Sequence, residues 1–150
     1  MNAAVEYDQD FYQWLMKNAS LLRQGKFSEA DTEHIAEELE AMGKKEQREL
    51  VSRLAVLLAH LLKWAFQPAR RTRSWKNTIA AQRIEIMDLL EDSPSLQHEL
   101  EKKIAKAYMR SRLMAENETG IDKSGFPAEC PFSLENILEQ DFYPESEECL

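Results

Sequence analysis

The chain has 150 residues and a mass of 17.4 kDa, with 43% hydrophobic residues and a formal net charge of −8 at pH 7. A chain of this length fits one domain, and it can bury roughly 68–70% of its unfolded surface without disulfides or a structural metal. The composition excludes a sheet protein, since 64 residues are Ala, Leu, Glu or Lys and only 14 are Val, Ile or Thr. We therefore predict an all-α fold, with residues 1–150 in a single helical domain.

The N-terminal part of the chain predicts two helices. The first begins near Asp8, which can cap it, and ends before Gly25, where a left-handed closing residue is expected. The second is capped by Ser28 or Asp31 and carries apolar residues at helical spacing. Gly43 then predicts a break or a bend.

The middle of the chain predicts a third helix over 44–67, which stops at Pro68 because proline cannot easily continue a helix. Residues 54–66 are apolar almost all round, so we expect this helix at the centre of a bundle. A fourth helix begins at Thr72 or Ser74, either of which can serve as its cap, and ends before position 93.

The C-terminal part predicts a fifth helix and then an irregular tail. Ser93-Pro94 is a typical helix start, with a capping serine and proline in the first turn, and the helix closes before Gly120. Glycine and proline punctuate the tail, 120–150, which carries one short helix over 133–140. The fold prediction is therefore a compact bundle of about five helices, with this tail packed on it.

The cysteines and the hydrophobic segments indicate which cellular compartment the protein occupies. Cys130 and Cys149 are too few for a multi-disulfide framework, so we expect reduced thiols in the cytoplasm. No signal peptide is recognised at the N-terminus. The most hydrophobic run, 54–66, is shorter than the roughly 20 residues that a bilayer-spanning helix needs, so no membrane partner is expected.

Charge is segregated along the chain. Residues 1–40 have a net charge of −6, residues 41–83 of +8, residues 84–118 of −3 and residues 119–150 of −7. An acidic chain therefore contains a basic middle.

Short motifs distributed over nearly the whole chain form a recognisable combination. They include Tyr7-Asp8, Asp10-Phe11-Tyr12, Leu21-Leu22-Arg23, Glu37-Glu38-Leu39-Glu40, His60-Leu61-Leu62-Lys63-Trp64, Gln67-Pro68, Arg70-Arg71, Ser74-Trp75, Ala107-Tyr108, Phe126-Pro127 and Cys130-Pro131. The chain resembles domain-of-unknown-function family twenty-nine, a bacterial and largely cyanobacterial family. The resemblance implies a compact all-helical domain, and it carries over no activity, substrate, cofactor or catalytic residue.

The strongest candidate site is a basic corner at the start of the fourth helix. Six cations occur between positions 63 and 83, interleaved with two tryptophans: Lys63, Arg70, Arg71, Arg73, Lys76 and Arg83, with Trp64 and Trp75. Free N–H groups at a helix start attract anions, and arginine forks match phosphate or carboxylate. The candidate binding residues are Lys63, Trp64, Arg70, Arg71, Arg73, Ser74, Trp75 and Lys76.

Three interpretations of this corner stay open. Its cations can pair internally, with the acidic residues of the second helix or of the tail. They can instead bind an acidic protein or a small anion, which is the function that we favour. Nucleic acid is the third partner, although a net charge of −8 argues against it.

A metal-dependent hydrolase or nuclease is the alternative function. Asp31, His34 and Glu38 share a helix face, and His60 lies on the neighbouring helix. Possible metal ligands are few, because residues 50–67 contain no Asp or Glu. A histidine among leucines, such as His60, is typically a core residue that hydrogen-bonds to a neighbour.

No other catalytic set stands out. Cys130 precedes proline in an irregular segment, and nothing in the sequence brings a base to its thiol. A glycine-rich phosphate loop is not present. The sequence therefore predicts a non-enzymatic interaction or anion-binding module with no metal and no cofactor, and its oligomeric state is left open.

Overall fold

The computed structural model describes residues 3–145, with side chains from residue 5 onward. Its helices are α1 (Ala3–Gln9), α2 (Phe11–Arg23), α3 (Thr32–Phe66), α4 (Arg73–Asp92), α5 (Leu100–Thr119) and α6 (Leu134–Leu138). Three short 3₁₀ turns join them, at Pro68–Arg70, Pro94–Gln97 and Lys123–Gly125. No strand occurs in this described range, so the all-α prediction is confirmed.

Three predicted helix boundaries are wrong. The first predicted helix is two helices, because Asp10 rather than Asp8 accepts the Gln13 backbone N–H at 3.1 Å and starts α2. The second and third are one 35-residue helix that continues through Gly43. A glycine costs a helix interior only about 1 kcal/mol, which the surrounding turns outweigh.

The third wrong boundary is at Ser93-Pro94, which opens a 3₁₀ turn. Helix α5 starts at Leu100, after Glu99 adopts a left-handed conformation with φ 53°. The left-handed closing residue predicted at Gly25 is confirmed, with φ 72°. The predicted end of the fifth helix before Gly120 is also confirmed, and Gly120 is left-handed with φ 78°.

The chain divides into two compact units, one ending at Glu46 and the other starting at Gln47. Hydrogen bonds around the buried Trp14 hold the first unit together. The Trp14 indole N–H donates to the Asp31 carboxylate at 2.9 Å, and the Asp31 backbone N–H donates to the Asn18 side chain at 2.8 Å. Asn18 in turn donates to the Trp14 carbonyl at 2.9 Å, which closes the network.

The second unit is built on a continuous apolar core. The C-terminal half of α3 supplies leucines that are fully buried, as the all-round apolar pattern predicts. Helices α4 and α5 pack against it, and Phe126 and Ile137 from the C-terminal segment complete the core. No helix within residues 3–145 is long and apolar enough to cross a membrane.

Candidate functional site

The basic corner lies where α3 ends and α4 begins. Pro68 ends α3 and starts a 3₁₀ turn, after which the chain is extended at Thr72 with φ −130° and ψ 162°. The Thr72 hydroxyl accepts the Trp75 backbone N–H at 3.1 Å and so fixes the start of α4. The sequence prediction of Thr72 or Ser74 as the cap is therefore resolved in favour of Thr72.

Lys63 is buried and neutralised within the chain. Its side chain is 7% exposed, and its ammonium group lies 2.7 Å from a carboxylate oxygen of Glu118 on α5. The same ammonium group lies 4.6 Å from the centre of the Trp75 ring, a cation–π contact. Lys63 and Trp75 therefore tie α3, α4 and α5 together, and Lys63 adds little free charge to the corner.

Arg71 is half-buried and folds back on α3. Its Nε donates to the Trp64 carbonyl at 2.8 Å, and its guanidinium carbon lies 4.9 Å from the centre of the Trp64 ring. The Trp64 ring also contacts Tyr143, whose ring centre is 5.0 Å from that of Trp64. The buried Nη2 of Arg71 has no hydrogen-bond partner among the described residues.

Four of the candidate residues are exposed: Arg70, Arg73, Ser74 and Lys76. No carboxylate in the described side chains lies within 4.0 Å of any of the three cations in this group. The Lys76 ammonium group lies 5.7 Å from the centre of the Tyr143 ring. The dipole and free N–H groups at the start of α4 add to the positive potential at this surface.

Arg83 is not part of the exposed corner, although it lies in the basic segment of the sequence. It is fully buried, and its guanidinium group donates to three backbone carbonyls: Ile137 at 2.8 Å, Asn136 at 3.2 Å and Gln140 at 3.3 Å. Burial lowers the pKa of Arg83, while Tyr143, Glu139 and Asp141 oppose that shift.

Arg83 therefore caps the carbonyl end of α6 and holds the C-terminal segment against α4. The sequence did contain a signal for this role. Arg83 lies four residues after Ile79 and three before Ile86, on the apolar stripe of α4 that faces the core.

The proposed metal ligands of the first unit are engaged with one another and with aromatic side chains. His34 Nδ1 lies 2.7 Å from Asp31 Oδ2, and the His34 ring stacks on Tyr7 with centres 4.0 Å apart. The Tyr7 hydroxyl donates to Glu38, which together with burial raises the pKa of Tyr7 to about 12. In the described part of the chain, no group of three or more His, Cys, Asp or Glu side chains could hold a metal ion.

His60 and Cys130 are each held by a nearby backbone carbonyl. His60 Nδ1 lies 2.9 Å from the Val56 carbonyl oxygen, and burial lowers the pKa of His60. The Cys130 thiol lies 3.6 Å from the Phe132 carbonyl oxygen, and burial raises its pKa, which disfavours the nucleophilic thiolate. Cys149 lies outside the described residues.

Comparison with known proteins places the chain in a family. No curated protein and no solved structure matches it. A family model described as "Domain of unknown function DUF29" matches residues 6–143, which is nearly the whole sequence. The chain therefore belongs to the DUF29 family, as the resemblance of its motifs predicted.

Proposed function

We propose that this chain is a non-enzymatic interaction module of the bacterial cytoplasm, whose basic corner binds a cluster of carboxylates on a partner protein. The observation that carries the proposal is the exposure of Arg70, Arg73 and Lys76 with no carboxylate of the described residues in reach. Arg73 and Lys76 are three positions apart on α4, so they lie on one face of the helix.

The side chains around these cations also fit an interface. Trp64 and Trp75 are fixed by their contacts with Arg71 and Lys63, so they give the corner a rigid base. Arginine and tryptophan are enriched among residues that dominate binding energy, and preorganised groups lose less entropy on binding. The two scarce cysteines fit a cytoplasmic location better than an oxidising compartment.

The test uses a fluorescein-labelled peptide in which Asp and Glu alternate with Ser, followed by fluorescence anisotropy. We expect the wild type to bind it with an affinity that falls as salt increases, and the Arg70→Glu, Arg73→Glu double variant to bind at least 10-fold more weakly. The matched control is Lys106→Glu, Arg110→Glu, which changes the net charge equally at exposed positions of α5. This control should stay within about twofold of the wild type.

The chain's own C-terminus requires a further variant. Glu145 is exposed and lies two residues after Tyr143, whose ring is near Lys76. Glu147 and Glu148 come after it in the sequence, outside the described residues. Replacing these three glutamates by glutamine should leave peptide binding unchanged or strengthen it. The proposal fails if the corner variant binds as the wild type does, or if inorganic phosphate or a single-stranded oligonucleotide binds the corner and the acidic peptide does not.

A further inference from the structure

The first unit has an apolar groove between α2 and α3. Its walls are two sets of side chains at helical spacing: Leu15, Ala19 and Leu22 from α2, and Ile35, Leu39 and Met42 from α3. The groove has a volume of about 190 Å³. Both walls repeat at positions i, i+4 and i+7, so the groove runs along the helices for about two turns.

The groove walls are unusually exposed for large apolar side chains. Leu39 and Met42 are each 65% exposed, and Leu15 and Leu22 are 40% and 39% exposed. A contiguous apolar surface of this kind is a recognised mark of an interaction site. An amphipathic helix that presents apolar residues at i, i+3, i+4 and i+7 fits a groove between two helices.

The negative charge of the first unit favours a helix whose polar face is basic. Residues 5–46 contain ten acidic and five basic side chains, a net charge of −5. Five exposed glutamates of this unit have no ion-pair partner among the described residues: Glu29, Glu33, Glu37, Glu40 and Glu46. Glu38 lines the groove itself, where it accepts the Tyr7 hydroxyl.

We propose that this groove binds a basic amphipathic helix of a partner protein. The apolar stripe of the helix packs between α2 and α3, and its lysines or arginines meet Glu38 in the groove wall and the net negative charge of this unit. A second copy of the chain is the less favourable occupant, because it brings the same excess of negative charge to the interface. This surface is separate from the basic corner, whose charge has the opposite sign.

The test uses an 18-residue peptide of leucine and lysine, with leucine at i, i+3, i+4 and i+7, labelled with fluorescein. At about 150 mM salt, where the screening length is about 8 Å, we expect saturable binding by the wild type. A peptide of the same composition in scrambled order loses the apolar stripe and should bind at least 10-fold more weakly. A leucine–glutamate peptide with the stripe intact should also bind at least 10-fold more weakly.

Two protein variants separate packing from charge. Leu39→Glu, Met42→Glu should bind the leucine–lysine peptide at least 10-fold more weakly, although it carries two more negative charges than the wild type. The matched control is Met109→Glu, Leu113→Glu on α5, where the original side chains are 57% and 54% exposed and line a groove with Arg110, Arg112 and Lys123. This control adds the same charge and should bind as well as the wild type.

Hydrogen exchange and sedimentation complete the test. The bound peptide should protect backbone amides of α2 and of the first turns of α3, and circular dichroism should show both variants folded. The proposal is overturned if the scrambled peptide binds equally well or if the groove variant keeps its affinity. It is also overturned if the wild type forms a dimer that the groove variant loses, because the occupant is then a second copy.

Discussion

The two units of the chain bury different kinds of side chain. The apolar core lies entirely within residues 50–137, and it includes seven fully or nearly fully buried leucines and alanines of α3 alone, from Leu54 to Leu62. Between residues 5 and 46, the buried side chains are Trp14, Glu6 and Asn18. A large buried apolar side chain contributes about 1.5–3 kcal/mol, whereas a typical hydrogen bond contributes about 1 kcal/mol net.

The difference indicates that the units are stabilised by different forces. The second unit depends on apolar burial, and it carries the exposed cations that we propose as a binding surface. The first unit depends on hydrogen bonds and aromatic stacking around Trp14, and it carries the exposed apolar groove that we propose as a second binding surface. We therefore expect the first unit to open locally at a lower free energy than the second.

The largest contrast should come from equivalent leucine truncations in the two units. Leu58 is fully buried, so Leu58→Ala should lower the free energy of unfolding by about 3 kcal/mol. Leu39 is 65% exposed, so Leu39→Ala should change it by less than about 0.5 kcal/mol. Urea denaturation followed by circular dichroism measures both. Equal losses would contradict the distinction between a packed core and an open groove.

A second contrast lies within α4, between a buried and an exposed arginine. Arg83→Met leaves three carbonyl groups without their donor, so we expect a loss of about 2 kcal/mol in the free energy of unfolding. Arg73→Met, at an exposed position of the same helix, should change it by less than about 0.5 kcal/mol.

Hydrogen exchange locates the effect of Arg83→Met. Amides of 134–143 should lose protection in this variant and keep it in Arg73→Met. If 134–143 stays protected without the guanidinium group, Arg83 does not hold the C-terminal segment.

The smallest expected effect is the pH dependence of the first unit. The hydrogen bond to Asp31 raises the pKa of His34, against an opposing effect of burial, with smaller support from Glu37 and Asp8. Burial acts to raise the pKa of Asp31, but the hydrogen bonds from His34 and Trp14 outweigh it and lower that pKa. Each charged group of this pair therefore favours the charged form of the other in the folded chain.

The two pKa shifts change the stability of the first unit in opposite directions as pH rises. The contribution of His34 is complete below its ordinary pKa of about 6.5 and is lost as pH rises through the raised folded value. The contribution of Asp31 is complete above about 3.9 and is lost as pH falls through the lowered folded value. Exchange protection of α2, corrected for intrinsic rates, should therefore be greatest near pH 4–6.5 and decline as pH rises above 6.5. His34→Gln should remove the decline above pH 6.5, and an unchanged decline would assign it to another group.

Local chemistry made most helix ends predictable. The termination of α3 at Pro68, the cap at Thr72 and the closing residue Gly120 each depend on one side chain and its own backbone. The same local rules failed at Gly43, where the pattern of neighbouring turns overrides one weak helix former. His60 was also interpreted correctly from its apolar neighbours, because its partner is the carbonyl one turn earlier.

The basic corner was predictable as a concentration of charge, and its division into paired and unpaired cations was not. Lys63 stands in an apolar stretch of α3, and Arg83 stands on the apolar stripe of α4, which are sequence signals of burial. Their partners are 55 positions away for Lys63 and 53 to 57 positions away for Arg83. No rule based on neighbouring positions identifies such partners.

The amino-acid sequence by itself determined that the chain is helical, where most of its helices begin and end, and where positive charge concentrates. These properties depend on backbone hydrogen bonds and caps between residues at most a few positions apart. The tertiary structure alone decided which cations are neutralised and which apolar side chains stay in water. Neutralisation and burial depend on distances in space between residues far apart in the chain, and those distances exist only once the helices have packed.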